Sequence, residues 1–244
     1  MELLNKDLRR RIIIKATELG WAGHFGSALS CVDCIKYLYD HVLREGEDIF
    51  ILSKGHGEMA LFSVLESKGK KPTWTRHLNY NEEEGIYATT GSLGHGLPIG
   101  VGRAFAKKLK GENGKAYVLC GDGESEEGSI YEALSLSKLL QLDNLTVLFD
   151  YNKYQANDSV KKIGDVDGTS LTKKLEAFGC KVLTINGHDE KELSALKYLE
   201  KGLNAIILDT IKGYGVKYLE KDHIHSFDFN KDPILYKQAM EDLK

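Results

Sequence analysis

Five short apolar or β-branched runs recur along the chain, Asp48 to Leu52, Ala116 to Cys120, Leu145 to Phe149, Lys181 to Ile185 and Ala205 to Asp209, with helical periodicities between them. A continuous apolar run, as opposed to an alternating one, is what a strand carries when both of its faces are buried. Helices between such strands act as crossovers and make the strands parallel. Apolar positions at i, i+3 and i+4 predict helices around 6–19, 30–43, 57–68, 95–109, 128–140, 168–178 and 189–200. The pattern therefore predicts an α/β fold of three layers, α/β/α, built on a parallel sheet. With 244 residues, only three prolines, no Ser/Gly-rich linker and no internal repeat, the chain is expected to form one domain over residues 1–244. The least regular stretch, Gly69 to Ser92, is long for a connection in a compact domain, and such loops are usually functional or disordered.

Two of the runs end in residues with chemistry. The second leads into Gly121-Asp122-Gly123, and the third is followed by Asn152. Glycines at a strand end let the backbone approach phosphate oxygens closely, and their N–H groups can form an anion-binding nest. Asp122 would add a charged oxygen ligand and Asn152 a neutral amide oxygen, the donor set of a Mg²⁺ ion that shares its shell with phosphates and water. Open parallel sheets bind ligands beyond the carboxyl ends of their strands, where both motifs fall. Gly-Asp-Gly alone is also an ordinary turn. Its pairing with an Asn after the next strand makes the signal specific.

Composition narrows the partners. A formal net charge of −3, a pI near 6.3 and no sustained Lys/Arg run argue against nucleic acid or an anionic membrane as the main ligand. Ile12-Ile13-Ile14 behind Arg9-Arg10-Arg11 is far too short for a spanning helix of roughly 18 residues, so a cytoplasmic location is expected. Cys31 and Cys34 form a C-x-x-C pair, but no second pair or His cluster completes a zinc site, and the helical pattern of Val32, Ile35 and Leu38 points to buried thiols.

The motifs, taken in order, resemble the amino-terminal part of the transketolases. Gly23-His24-Phe25-Gly26-Ser27, Leu52-Ser53-Lys54-Gly55-His56-Gly57, Gly91-Ser92-Leu93-Gly94-His95-Gly96-Leu97, Gly121-Asp122-Gly123-Glu124, Gly187-His188-Asp189 and Thr210-Ile211-Lys212-Gly213-Tyr214-Gly215 carry the similarity across nearly the whole chain. The resemblance implies a thiamine diphosphate-binding domain with Mg²⁺ (or Ca²⁺ or Mn²⁺) held by Asp122, Asn152 and the main-chain carbonyl of Tyr154. It implies cofactor contacts from His56, Gly91, Ser92, Leu93, Gly121, Asp122, Gly123, Glu124, Asn152 and His225. His24, His56, His77 and His225 would line the channel between cofactor and sugar, where neutral imidazoles can donate to hydroxyls and shuttle protons. Glu127 would contact the activating glutamate of a partner subunit. An acid at that position is equally explained by the helix start beside it. His41, His95, His188 and His223 are read as surface or core histidines.

By the same resemblance the pyrimidine-binding domain, which carries the activating glutamate, lies on another polypeptide. The chain is then expected to be the diphosphate-binding subunit of a split, α2β2 transketolase that moves a two-carbon ketol unit between sugars or sugar phosphates. Alternatives are a 2-oxo acid decarboxylating α-subunit, a deoxyxylulose-phosphate synthase-like enzyme, or a non-catalytic cofactor-binding regulator. The histidine set and Ser53-Lys54-Gly55-His56 favour the transketolase. Leu78-Asn79 after His77, Tyr87 before the Gly91 block, Ser226-Phe227 after His225 and Phe25 after His24 depart from the family pattern. These departures touch the sugar channel more than the metal motif.

Overall fold

The computed structural model describes residues 4–155, 158–163, 169–222 and 224–244. In chain order its elements are α1 (Lys6–Glu18), α2 (Phe25–His41), β1 (Ile49–Leu52), α3 (Glu58–Ser67), α4 (Gly96–Lys110), β2 (Ala116–Gly121), α5 (Gly128–Leu139) and β3 (Leu145–Tyr151). There follow β4 (Tyr154–Gln155), β5 (Asp158–Ser159), α6 (Val160–Ile163), α7 (Thr169–Ala177), β6 (Lys181–Asn186), α8 (Glu190–Leu193), β7 (Asn204–Asp209), α9 (Lys217–Asp222) and α10 (Pro233–Asp242). All five predicted strands form one sheet in the order β1-β2-β3-β7-β6, and every pairing in it is parallel.

Alternation along the strands sorts the core into two layers. Phe50, Leu52, Tyr117, Leu119, Leu148, Ile206 and Leu208 face α1, α2 and α3, which contribute Ile12, Leu29, Ile35 and Phe62. Ile49, Ile51, Val118, Val147, Phe149, Ala205 and Ile207 face α4, α5 and α7 through Leu97, Val101, Ile130, Leu134 and Leu175. Both faces are covered, which is why the strands read as continuous apolar runs.

Three boundaries differ from the sequence reading. Helix α2 begins at Phe25, five residues before the expected start, because Gly26 and Ser27, residues that usually signal a break, occupy its buried first turn. The expected helix at 189–200 is only one α-turn, Glu190–Leu193, followed by a 3₁₀ turn, Ser194–Lys197. Ser194 Oγ donates to the Lys191 carbonyl at 2.5 Å, a local bond that competes with helix continuation. Helix α10 was not anticipated, although it starts with Pro233 behind Asp232, whose carboxylate accepts from Leu235 N at 2.9 Å. Gly168, at the start of one expected helix, and His223 lie outside the described residues. The stretch 69–92 is an irregular excursion tied by two isolated bridges, Leu78 to Thr90 and Asn81 to Ile86. Among the described residues no helix is long and apolar enough to cross a membrane.

Candidate active site

The carboxyl ends of β1, β2, β3 and β7 converge on a cavity of about 260 Å³. Of the residues singled out in the sequence, His24, His56, His77, Gly91, Leu93, Gly121, Asp122, Gly123, Glu124, Asn152, Tyr154 and His225 line it. Ser92 and Glu127 are solvent-exposed and do not. Glu127 stands at the N-terminus of α5, with its stem packed beneath the loop at Gly94.

Asp122 follows the last residue of β2 and is almost fully buried, at 3% exposure. Its Oδ2 accepts from the Lys153 N–H at 2.6 Å. Lys153 reaches that position in a left-handed conformation, φ 72°, which a non-glycine residue adopts at a cost. The same turn brings the chain back so that Asn152 Oδ1 accepts from Tyr154 N at 3.2 Å. Asp122, Asn152 and the Tyr154 backbone are thus fixed around one corner of the cavity. Burial first, and the negative charge of Asp150 second, push the Asp122 carboxyl up to about 7.

Glu124 is committed to the protein. Its carboxylate accepts from Ser53 Oγ at 2.5 Å, Gly94 N at 2.8 Å and Gly121 N at 3.2 Å, which ties the 91–96 loop to the ends of β1 and β2. The approach of these segments leaves no room for a side chain at Gly55, where a Cβ would stand 2.5 Å from the Thr90 carbonyl carbon.

The histidines form one wall. The His24 ring lies 5.4 Å from that of His56 and 4.6 Å from that of His225, and His24 Nδ1 is 3.0 Å from the His225 carbonyl, so it carries the proton and donates. Burial lowers the pKa of His24, and the neighbouring His225, His77 and Lys212 reinforce the shift. Burial lowers His56 further, with Lys54 and the other histidines adding to it. Both are neutral at neutral pH. His77 is exposed, sits at φ 62°, and packs its ring over Gly91.

Sequence reasoning assigned no role to Lys54, Asp150, Lys212, Ser27 or Gln155, although Lys54, Gln155 and Lys212 stand inside the motif blocks. Lys54, Lys212, Ser27 and Gln155 line the cavity. Asp150 lies beneath it, fully buried, and bonds Lys54 Nζ, Ser30 Oγ at 2.5 Å, Thr210 Oγ1 at 2.6 Å and Asn152 Nδ2 at 3.2 Å. Its position inside an apolar strand gave no sign of this. His188, read as a core histidine, is buried outside the cavity. Cys31, Cys34, Cys120 and Cys180 are buried free thiols.

Residues 6–239 match the family described as transketolase, thiamine diphosphate binding domain. One subunit of the apulose-4-phosphate transketolase of Phocaeicola vulgatus is 34% identical over 241 residues, which cover 89% of this chain and 85% of that protein. A 6-deoxy-6-sulfo-D-fructose transketolase subunit of Clostridium sp. (strain MSTE9) is 32% identical over 262 residues, 97% of this chain and 94% of that protein. Against the longer transketolase of Mus musculus, 31% identical, the match covers 88% of this chain but only 38% of the mouse protein. The crystal structure of transketolase from Campylobacter jejuni superposes with a TM-score of 0.80 at 27% identity, covering 98% of this chain and 42% of that one.

Proposed function

The chain belongs to the transketolase family of transferases, through its thiamine diphosphate-binding domain, and from that premise we propose that it is the diphosphate-binding subunit of a two-subunit transketolase. The reaction is transfer of a two-carbon ketol unit from a ketose to an aldose. The observation that carries this reading is the corner formed by Asp122, Asn152 and the Tyr154 backbone at the carboxyl ends of β2 and β3.

The residues present fit a divalent metal. A buried carboxyl pushed up to about 7 is poorly solvated as an anion, and a cation beside it removes that penalty. Asp122, the Asn152 amide oxygen and the Tyr154 carbonyl are hard oxygen donors suited to Mg²⁺. Among the described residues no group of three or more His, Cys, Asp or Glu converges for a metal, so the shell needs oxygens from a ligand such as a diphosphate. Gly121, Gly123, Gly91 and Leu93 offer backbone to that ligand, and Lys212 offers charge. Bound thiamine diphosphate supplies an electron sink for making and breaking a C–C bond beside a carbonyl.

His24 and His56, held neutral by burial, would hydrogen-bond sugar hydroxyls and hold or release a proton at their ring nitrogens, with His77 and His225 at the open side. At about 260 Å³ the cavity is smaller than the roughly 300–1,000 Å³ typical of ligand pockets, which supports completion by a second surface. The relatives named as single subunits of a transketolase, matched over most of their length, support a separate partner chain carrying the activating glutamate. Exposed Glu127 would meet that partner in an α2β2 assembly. The cytoplasm is the compartment of this reading, and the sugar or sugar phosphate is set by residues around His77 and His225 together with the partner.

The test is reconstitution. This chain alone, with Mg²⁺ and thiamine diphosphate, should give no ketol transfer between a ketose and an aldose pool, and adding the partner subunit should restore it. Full transfer by the lone chain, or none by the reconstituted pair, would reject the proposal.

A further inference from the structure

Lys212 sits in the loop after β7, and its neighbours in that loop are anchored from outside it. Thr210 Oγ1 donates to Asp150 Oδ1 at 2.6 Å. The Ile211 N–H donates to His188 Nε2 at 3.0 Å, the Gly213 N–H donates to the Gly26 carbonyl at 3.0 Å, and the Tyr214 carbonyl accepts from Arg9 Nε at 2.9 Å. Because Nε2 accepts, the His188 proton is on Nδ1, which donates to Asp33 Oδ2 at 2.8 Å. Asp33 is also gripped by both terminal nitrogens of Arg9, at 2.7 and 2.6 Å, and by Asn5 Nδ2 at 2.8 Å. The Tyr214 ring stacks on His188 at 3.7 Å with 21° between planes, and the Arg9 guanidinium lies 5.1 Å from the same ring centre. The side chains of Arg9 and Asp33 are 0% exposed and that of His188 is 3% exposed.

This network joins α1, α2, the turn after β6 and the loop after β7, and its last bonds fall on the residues flanking Lys212. The Lys212 stem is steered as well. A Cβ on Gly26 would come within 2.9 Å of its Cγ, so the lysine lies in a groove that only glycine leaves open. Its ammonium stands 5.4 Å from the Tyr154 ring centre, in the field of Asp122. A lysine is a point charge on a four-carbon stem, and placing that charge reproducibly requires a fixed Cα and a guided chain.

We propose that Arg9, Asp33 and His188 are positioning residues that aim Lys212 at the diphosphate and metal corner of the cavity, an inference that rests on reading that cavity as a thiamine diphosphate site. None of the three lines the cavity. They act through the Lys212 backbone.

The test uses the full chain and inorganic pyrophosphate with Mg²⁺, titrated by calorimetry, with amide exchange followed at Ile211 and Gly213. Lys212→Ala should weaken binding about 10- to 100-fold, the effect of losing one charge-assisted contact. His188→Asn keeps a donor for Asp33 but drops the Ile211 bond, and should weaken binding about 3- to 10-fold and speed exchange at both amides. His188→Gln, with an acceptor in reach of Ile211, should restore both. In the Lys212→Ala background His188→Asn should add nothing, whereas a residue acting only on stability would add its full effect. Asp33→Asn, isosteric, is the second probe of the network and should move in the same direction. Wild-type affinity in His188→Asn and Asp33→Asn, or full additivity with Lys212→Ala, would overturn the positioning role. Failure of the wild-type chain to bind pyrophosphate would overturn the diphosphate reading itself, and this inference with it.

Discussion

Lys54 Nζ donates to Asp150 Oδ2 in an ion pair whose two side chains are 1% and 0% exposed, so a charge from the end of β1 and a charge near the end of β3 neutralise each other under the cavity floor. The Lys54 charge holds Asp150 ionised against a large burial penalty. Asp150 in turn orients Asn152, because a carboxylate can only accept, which turns the Asn152 Nδ2 toward it and leaves Oδ1 for the Tyr154 N–H and a metal. The metal corner is therefore built on an ion pair outside the motif that advertises it.

Removing one partner of such a pair leaves the other buried and unpaired. Lys54→Met should cost about 3–5 kcal/mol of folding stability. Lys54→Met combined with Asp150→Asn should recover part of that loss, since the orphan charge is gone. Urea denaturation of the single and double variants measures both. A loss below about 1 kcal/mol in the single variant, the range of a surface pair, would contradict the buried pairing.

Glu58 opens α3 at 4% exposure, with Oε2 lacking a hydrogen-bond partner among the described residues. Burial pushes its carboxyl from 4.5 up to about 8, with only the charge of Arg76 and its own backbone N–H opposing. The folded state then holds a proton that the unfolded state has released, so stability falls as pH rises from about 4.5 to about 8. Glu58→Gln should match the wild type near the bottom of that window and exceed it by roughly 2–4 kcal/mol at the top. Denaturation across the range tests this, and a constant difference between the two proteins would refute it.

Gly55→Ala should disrupt the site without touching a ligand. The added methyl would meet Thr90 and Gly91 backbone atoms at 2.5–2.6 Å, and backbone cannot rotate away as a side chain can. The 90–94 loop must move, so the variant should lose about 1–3 kcal/mol of stability, the range for overpacking, and bind thiamine diphosphate more weakly. Wild-type melting and affinity would show that the loop yields freely.

The sheet was legible because each of its strands is buried on both faces and therefore spelled as an apolar run. Gly121-Asp122-Gly123 and Asn152 were legible because strand ends, turn glycines and oxygen donors occur together there. Asp150 was not, since one acid inside Leu145–Tyr151 reads as a defect in the strand until Lys54 and Thr210 are seen to converge on it from distant segments. The partners of His188 were hidden for the same reason: Asp33 is 155 residues away in sequence. Helix boundaries failed where local bonds or tertiary packing overrode periodicity, at Phe25 and at Ser194.

The central claim is that Asp122 and Asn152 hold a divalent metal that in turn holds the cofactor diphosphate. The measurement is calorimetric titration of thiamine diphosphate into the complex of this chain with its partner, with Mg²⁺ and with chelator, for the wild type, Asp122→Ala and Asn152→Ala. The account predicts metal-dependent binding by the wild type that chelator abolishes, and loss of that dependence in both variants with their melting transitions retained. Equal affinity with and without metal, or variants that bind as the wild type does, would contradict it.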